Sequence, residues 1–103
     1  MKAERVKAEF SNLEIHVGAF HEKSFSIKCN ATYENEFLTI DGGKRVVRLH
    51  MRNISNVHLE KRSIRIAAIN FEITEGGQTS VASGSIRIEV GDTAEAWYKE
   101  LWG

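Results

Sequence analysis

The sequence predicts a mainly β fold: an antiparallel, strongly bent sheet, or a partly open barrel or sandwich, of about seven strands with one C-terminal α-helix. Three observations carry this expectation. Apolar residues recur at every second position over most of the chain, the period of a strand with one face inward. Turn signals rich in glycine separate the alternating runs. The chain contains no proline to interrupt a strand or stiffen a linker. Only the closing stretch "GDTAEAWYKELWG", residues 91–103, changes to a helical period.

The elements follow in order. Residues 1–10 are open between two readings, because Val6, Ala8 and Phe10 fit a strand while Ala3, Val6 and Phe10 fit a short helix. "LEIHVGA" places Leu13, Ile15 and Val17 on one face, and "SFSIKCNATY" does the same with Phe25, Ile27, Cys29 and Ala31, running on to Tyr33. "ENEF" reads as a turn into a short strand through Leu38 and Ile40, and "DGG" at 41–43 as a hairpin turn. "KRVVRLHMR" then alternates, with Val47, Leu49 and Met51 on one side and Arg48, His50 and Arg52 on the other. A further hairpin turns near Glu60–Ser63. Ile64 and Ile66 share one phase and Ile69, Phe71 and Ile73 the other, so a β-bulge is expected near Ala67-Ala68. "TEGGQTSVASG" reads as a flexible stretch, and "SIRIEV" as the last strand, with Ile86, Ile88 and Val90 inward.

The closing helix is expected over residues 92–102. Asp92, with Glu95 three residues on, resembles a capping box. Ala94, Trp97, Tyr98 and Leu101 form one stripe, and Glu95 and Lys99 an i,i+4 pair. A helix of this length is marginal alone in water, so it needs Trp97 and Leu101 packed onto the sheet at one opening of the barrel. Trp102 falls one step off the stripe and is the candidate exposed contact.

At 103 residues the chain suits a single domain, able to bury roughly 60–65% of its unfolded surface. No apolar run approaches the length of a membrane span, and "MKAERVKAEF" is too charged for a signal peptide. The single cysteine, Cys29, has no partner for an internal disulfide, which points to a reducing, cytoplasmic setting, free or peripheral to a membrane. Formal net charge is zero, which removes one brake on self-association.

Two segments resemble bacterial pleckstrin-homology-like domains. "VVRLHMRNISNVHLEKRS" is similar to their strand, "I-S-x-V" and strand segment, and "IEVGDTAEAWYKELWG" to their last strand followed by an acidic-capped helix with an aromatic in its middle. The resemblance covers roughly residues 24–103. It implies a non-enzymatic interaction domain, with a protein partner, itself or another, as its ligand. Lipid-binding members carry basic clusters around the hairpin joining their first two strands. The corresponding hairpin here, "TYENEF", is acidic, a departure from the phosphoinositide-binding pattern.

Catalytic and metal chemistry find no constellation of residues. His16 and His21 are five apart and His50 and His58 eight apart, spacings that belong to no ligand motif. Cys29 sits among inward apolar positions, which makes it a structural thiol. No cofactor is called for. Charge is the asymmetric feature: between Lys44 and Arg65 lie seven basic residues and one acid, whereas from Phe71 onward there are six acids and two bases. Arg48, His50 and Arg52 on one strand, with Lys61, Arg62 and Arg65 near the next turn, form a candidate surface for an anionic partner, either acidic protein, acidic lipid headgroups or nucleic acid. The competing reading is a solvated sheet face whose charges are offset by Glu34, Glu36 or Glu72 on neighbouring strands.

Overall fold

The computed structural model describes all of residues 1–103. Seven strands lie in one antiparallel sheet: β1 (Lys2–Val17), β2 (Phe25–Glu34), β3 (Phe37–Asp41), β4 (Arg45–His50), β5 (Ile54–Leu59), β6 (Ile64–Glu75) and β7 (Gln78–Ile88). Their order is β4-β3-β2-β1-β7-β6-β5. The sheet closes on itself where Arg45–Arg48 of β4 pair with Glu75–Glu72 of β6. The result is a six-stranded barrel, with β5 as the extra strand on the remaining length of β6. One α-helix, α1 (Ala94–Leu101), ends the chain. No helix is long and apolar enough to cross a membrane.

The ambiguous first ten residues are strand from Lys2 onward. Their helical look has a physical cause. Register shifts between Ala3 and Val6 and between Ser11 and Glu14, with Arg5 and Asn12 at φ 54°, insert extra residues into β1. Each bulge changes the inward phase, so the core-facing series runs Ala3, Val6, Ala8, Phe10, Leu13, Ile15. Two spacings of three imitate a helix inside a strand that is bending around the barrel. Opposite the second bulge stands Gly84, where a Cβ would come within 2.9 Å of Ser11 O. Here the backbones approach too closely for any side chain.

The bulge expected at Ala67-Ala68 falls one step later, between Ala68 and Phe71. Phe71 and Ile73 return to the core, but Ile69 lies in the bulge itself and is 59% exposed. Three further expectations are corrected. Met51 does not continue β4 inward. The strand stops at His50, and Met51–Asn53 form a 3₁₀ turn that carries Met51 and Arg52 out to solvent. "TEGGQTSVASG" is not a flexible stretch but a tight hairpin: Glu75 pairs with Gln78 across Gly76-Gly77, both at positive φ, and β7 begins at once. Val17, expected inward, sits at the frayed end of β1 and is exposed.

The helix also begins differently. Gly91–Thr93 make a 3₁₀ turn, and no side chain caps α1. Asp92 accepts instead from Arg62 Nη1 at 2.8 Å, while Gly91 N–H donates to Arg62 O, tying the start of the helix to the β5–β6 turn. The Glu95–Lys99 pair forms as expected, at 3.4 Å.

Each end of the barrel is closed by a different device. At one end α1 packs against β5 and β6, sinking Ala94, Trp97 and Leu101 into the same continuous core as the strand interiors. At the other, residues 18–24 fold over the opening. Phe20 packs edge-on to Phe25, its N–H donates to Ser80 Oγ, and Arg45 lies 4.7–5.0 Å over both rings while pairing with Glu22 and Glu75. Gly18 is required there: at φ 104° any Cβ would fall 2.3 Å from Ser80 Oγ.

Trp97 is wholly buried, yet its indole N–H has no partner. Trp97→Ala is therefore expected to cost about 3–5 kcal/mol in urea unfolding. Trp97→Phe should cost clearly less, because the N–H it deletes makes no hydrogen bond. Equal losses would refute that account of the packing.

Candidate functional site

The six candidate basic residues separate into two groups. Arg48 stands opposite Glu72 on β6, and Arg65 lies seven positions away along the same strand, which is roughly 20 Å. Arg62 and Arg65 each have a carboxylate within ion-pair distance. Arg62 pairs with Asp92, and Arg65 lies 3.6 Å from Glu60, which also accepts from Arg87. Lys61 is exposed at the β5–β6 turn beside Glu60. The acids facing Arg62 and Arg65 at this end are Asp92 and Glu60, not those the sequence singled out, and Lys61 has no carboxylate within ion-pair distance.

The other group does come together. Arg48, His50 and Arg52 line one cleft of about 340 Å³, joined by Asn53 and by Asn70 from the β6 bulge. Phe37 and Val81 supply its apolar side chains, the Phe71 ring being turned into the core, and Glu72 is its one acidic side chain. Neither Arg48 nor Arg52 has a carboxylate partner, even though Glu72 is cross-strand from Arg48. The Arg48 guanidinium lies 4.1 Å over the Phe37 ring instead, a cation–π contact that orients its fork without using any of its N–H donors. His50 packs edge-on against the same ring, at 4.8 Å. Its Nδ1 accepts from the Arg52 backbone N–H at 3.1 Å, which assigns the proton of the neutral ring to Nε2 and leaves that N–H as the free donor.

Strand alternation alone would set Arg48, His50 and Arg52 in a row. The 3₁₀ turn curls the row into a concave site, and the β6 bulge brings Asn70 to face it. Asn53 and Asn70 carried no sequence signal as site residues; the phase slip that marks the bulge was the nearest available clue. Carboxylates flank the site. The β2–β3 turn abuts the 3₁₀ turn, with Met51 N–H donating to Glu36 O, and Glu34 and Glu36 are exposed there. Burial, together with the fields of Glu36 and Glu100, pushes the Tyr33 phenol above its ordinary value.

The histidines do not meet. His50 pairs across to Phe37 and His58 to Arg65, while His16 bonds Ser83 Oγ. Cys29 is buried, its thiol donating to Val6 O, and burial followed by the charge of Asp41 pushes it up to about 11. Trp102 is 45% exposed, just past the end of α1. On β5, the only strand paired along one edge alone, the Val57 N–H is taken by Asn56 Oδ1, which leaves less of that edge open to an added strand.

No family model matches the chain, and neither does any curated protein or solved structure.

Two outcomes follow from the titrating groups. Glu60 accepts from Arg87 and Ser63, which holds its carboxyl below the ordinary value. A depressed folded pKa adds stability above the unfolded carboxylate range, and that stability is lost as pH falls through the folded value. The stability gap between wild type and Glu60→Gln should therefore shrink on acidification through that range in urea titrations; a pH-independent gap would exclude the linkage. Cys29 should resist a thiol-specific chromogenic disulfide reagent at neutral pH and react promptly once the chain is unfolded.

Proposed function

We propose that this chain is a non-enzymatic interaction module that recognises a discrete anionic group on a protein partner, using the cleft of Arg48, His50 and Arg52. The observation that carries the reading is the pair of guanidiniums without a carboxylate partner in one concave site, whereas Arg62 and Arg65 each have a carboxylate within ion-pair distance. Seven antiparallel strands followed by a helix agree with the pleckstrin-homology-like resemblance, and a buried unpaired cysteine suits a cytoplasmic protein. The closed barrel and the bonded Val57 N–H favour a wall cleft over strand addition as the route to a partner.

A continuous polyanion is the weaker candidate. A bilayer or a nucleic-acid backbone laid across this cleft would meet Glu34, Glu36 and Glu72 together with the arginines, whereas one localised anion meets only the cleft.

A short peptide carrying one pair of glutamates should shift the backbone amide NMR signals of Arg48, His50, Arg52 and Asn53. Its affinity should fall several-fold between about 50 and 200 mM salt, as screening of charge pairs requires. Arg48→Glu with Arg52→Glu should abolish the shifts while leaving the rest of the spectrum in place. Salt-insensitive binding, or binding that survives the double variant, would sink the proposal.

A further inference from the structure

The cleft holds more hydrogen-bond donors than a carboxylate can use. A carboxylate presents two oxygens in one plane, and a single guanidinium fork satisfies it bidentately. This site offers two forks, Arg48 and Arg52, the Nε2–H of His50 and the amides of Asn53 and Asn70, brought in from three directions by β4, the 3₁₀ turn and the β6 bulge. Such a set matches an anion whose oxygens point in several directions and which carries more than one negative charge. The cleft is also wider than a bare anion needs, and its remaining wall is Phe37 and Val81, a surface for the carbon skeleton that bears the charge.

Resting on the anion-binding reading above, we infer that the group taken here is a phosphoryl, carried on a phosphorylated side chain of a protein partner. Arg48 and Arg52 grip its terminal oxygens from two sides. His50 donates through Nε2, because its other nitrogen is occupied by the Arg52 N–H. Arg48 is held ready by Phe37 rather than by a carboxylate that the ligand would have to displace. Glu72 opposes the ligand: it is the single negative charge in the lining, and it limits affinity for a doubly charged group. That opposition gives the inference a signature that loss of folding cannot mimic. Removing the Glu72 charge should strengthen binding.

The test is an NMR titration of the intact chain with four probes: inorganic phosphate, a peptide with one phosphoserine, the same peptide with glutamate in its place, and vesicles containing a phosphatidylinositol phosphate. Inorganic phosphate should saturably shift the Arg48 and Arg52 Nε–H signals and the side-chain amides of Asn53 and Asn70. The phosphopeptide should bind more tightly than phosphate, and the glutamate peptide about tenfold more weakly than the phosphopeptide. Glu72→Gln should tighten phosphopeptide binding roughly threefold or more, while Arg48→Lys, which keeps the charge but loses the fork, should weaken it. If the glutamate peptide binds as well as the phosphopeptide, or if Glu72→Gln leaves affinity unchanged, the phosphoryl assignment falls and the anion-binding reading stands. If none of the four probes binds, both fall. Vesicle binding stronger than phosphopeptide binding would overturn the assignment to a protein.

Discussion

Everything in this molecule depends on a short stretch of backbone pairing, Arg45–Arg48 against Glu72–Glu75. Without it the chain would be an open seven-stranded sheet, with β4 presenting a long unpaired edge and its apolar face only half covered. With it, the interior of six strands becomes one enclosed core in which the large residues Phe10, Phe71, Leu38 and Trp97 are sealed from water. β6 can make the closure because its twelve residues are long enough to serve two neighbours on one side, β5 with its first half and β4 with its last. The bulge between Ala68 and Phe71 lies where one partner gives way to the other. Arg45 stands at the seam and joins it to the end cover, since its guanidinium pairs with Glu75 of β6 and Glu22 of the 18–24 segment while lying over Phe20 and Phe25.

Much of this was legible in the residues because a half-buried strand writes its inward face into every second position. Phe25 to Ala31, Leu38 and Ile40, and Ile86 and Ile88 could be assigned from alternation, and Trp97 as the anchor of α1 from helical spacing. What failed, failed where the backbone leaves the ideal strand. The bulges at Arg5 and Asn12 turn a spacing of two into three, which is also the spacing of a helix. The run through Met51 kept perfect alternation but ended in a 3₁₀ turn, because the chain has to step from β3's neighbour to a position beyond the barrel at that point. "EGGQTS" looked loose by composition, yet paired glycines are what a two-residue hairpin needs. Composition reports which backbone angles are permitted and says less about whether they are held.

The candidate site is built from those same departures. Alternation named Arg48, His50 and Arg52; the turn and the bulge made them concave and added Asn53 and Asn70. Sequence proximity was a poor guide to Lys61, Arg62 and Arg65, which sit near Arg52 along the chain but at the far end of β6, where Arg62 faces Asp92 and Arg65 faces Glu60. The linear cluster of basic residues is therefore two environments, and in only one of them do both arginines lack a carboxylate partner.

The small contact between Asn56 Oδ1 and the Val57 N–H has a colloidal consequence. The chain has no net charge, so long-range repulsion does nothing to keep copies apart. A barrel has no edge to offer, but the strand left over from closure does, and an edge of that kind is a template on which a second chain can crystallise its own backbone. Asn56 occupies a donor such a template would use, and α1 lies against the same strand. Asn56 and α1 together, rather than net charge, limit what this edge can offer a second copy.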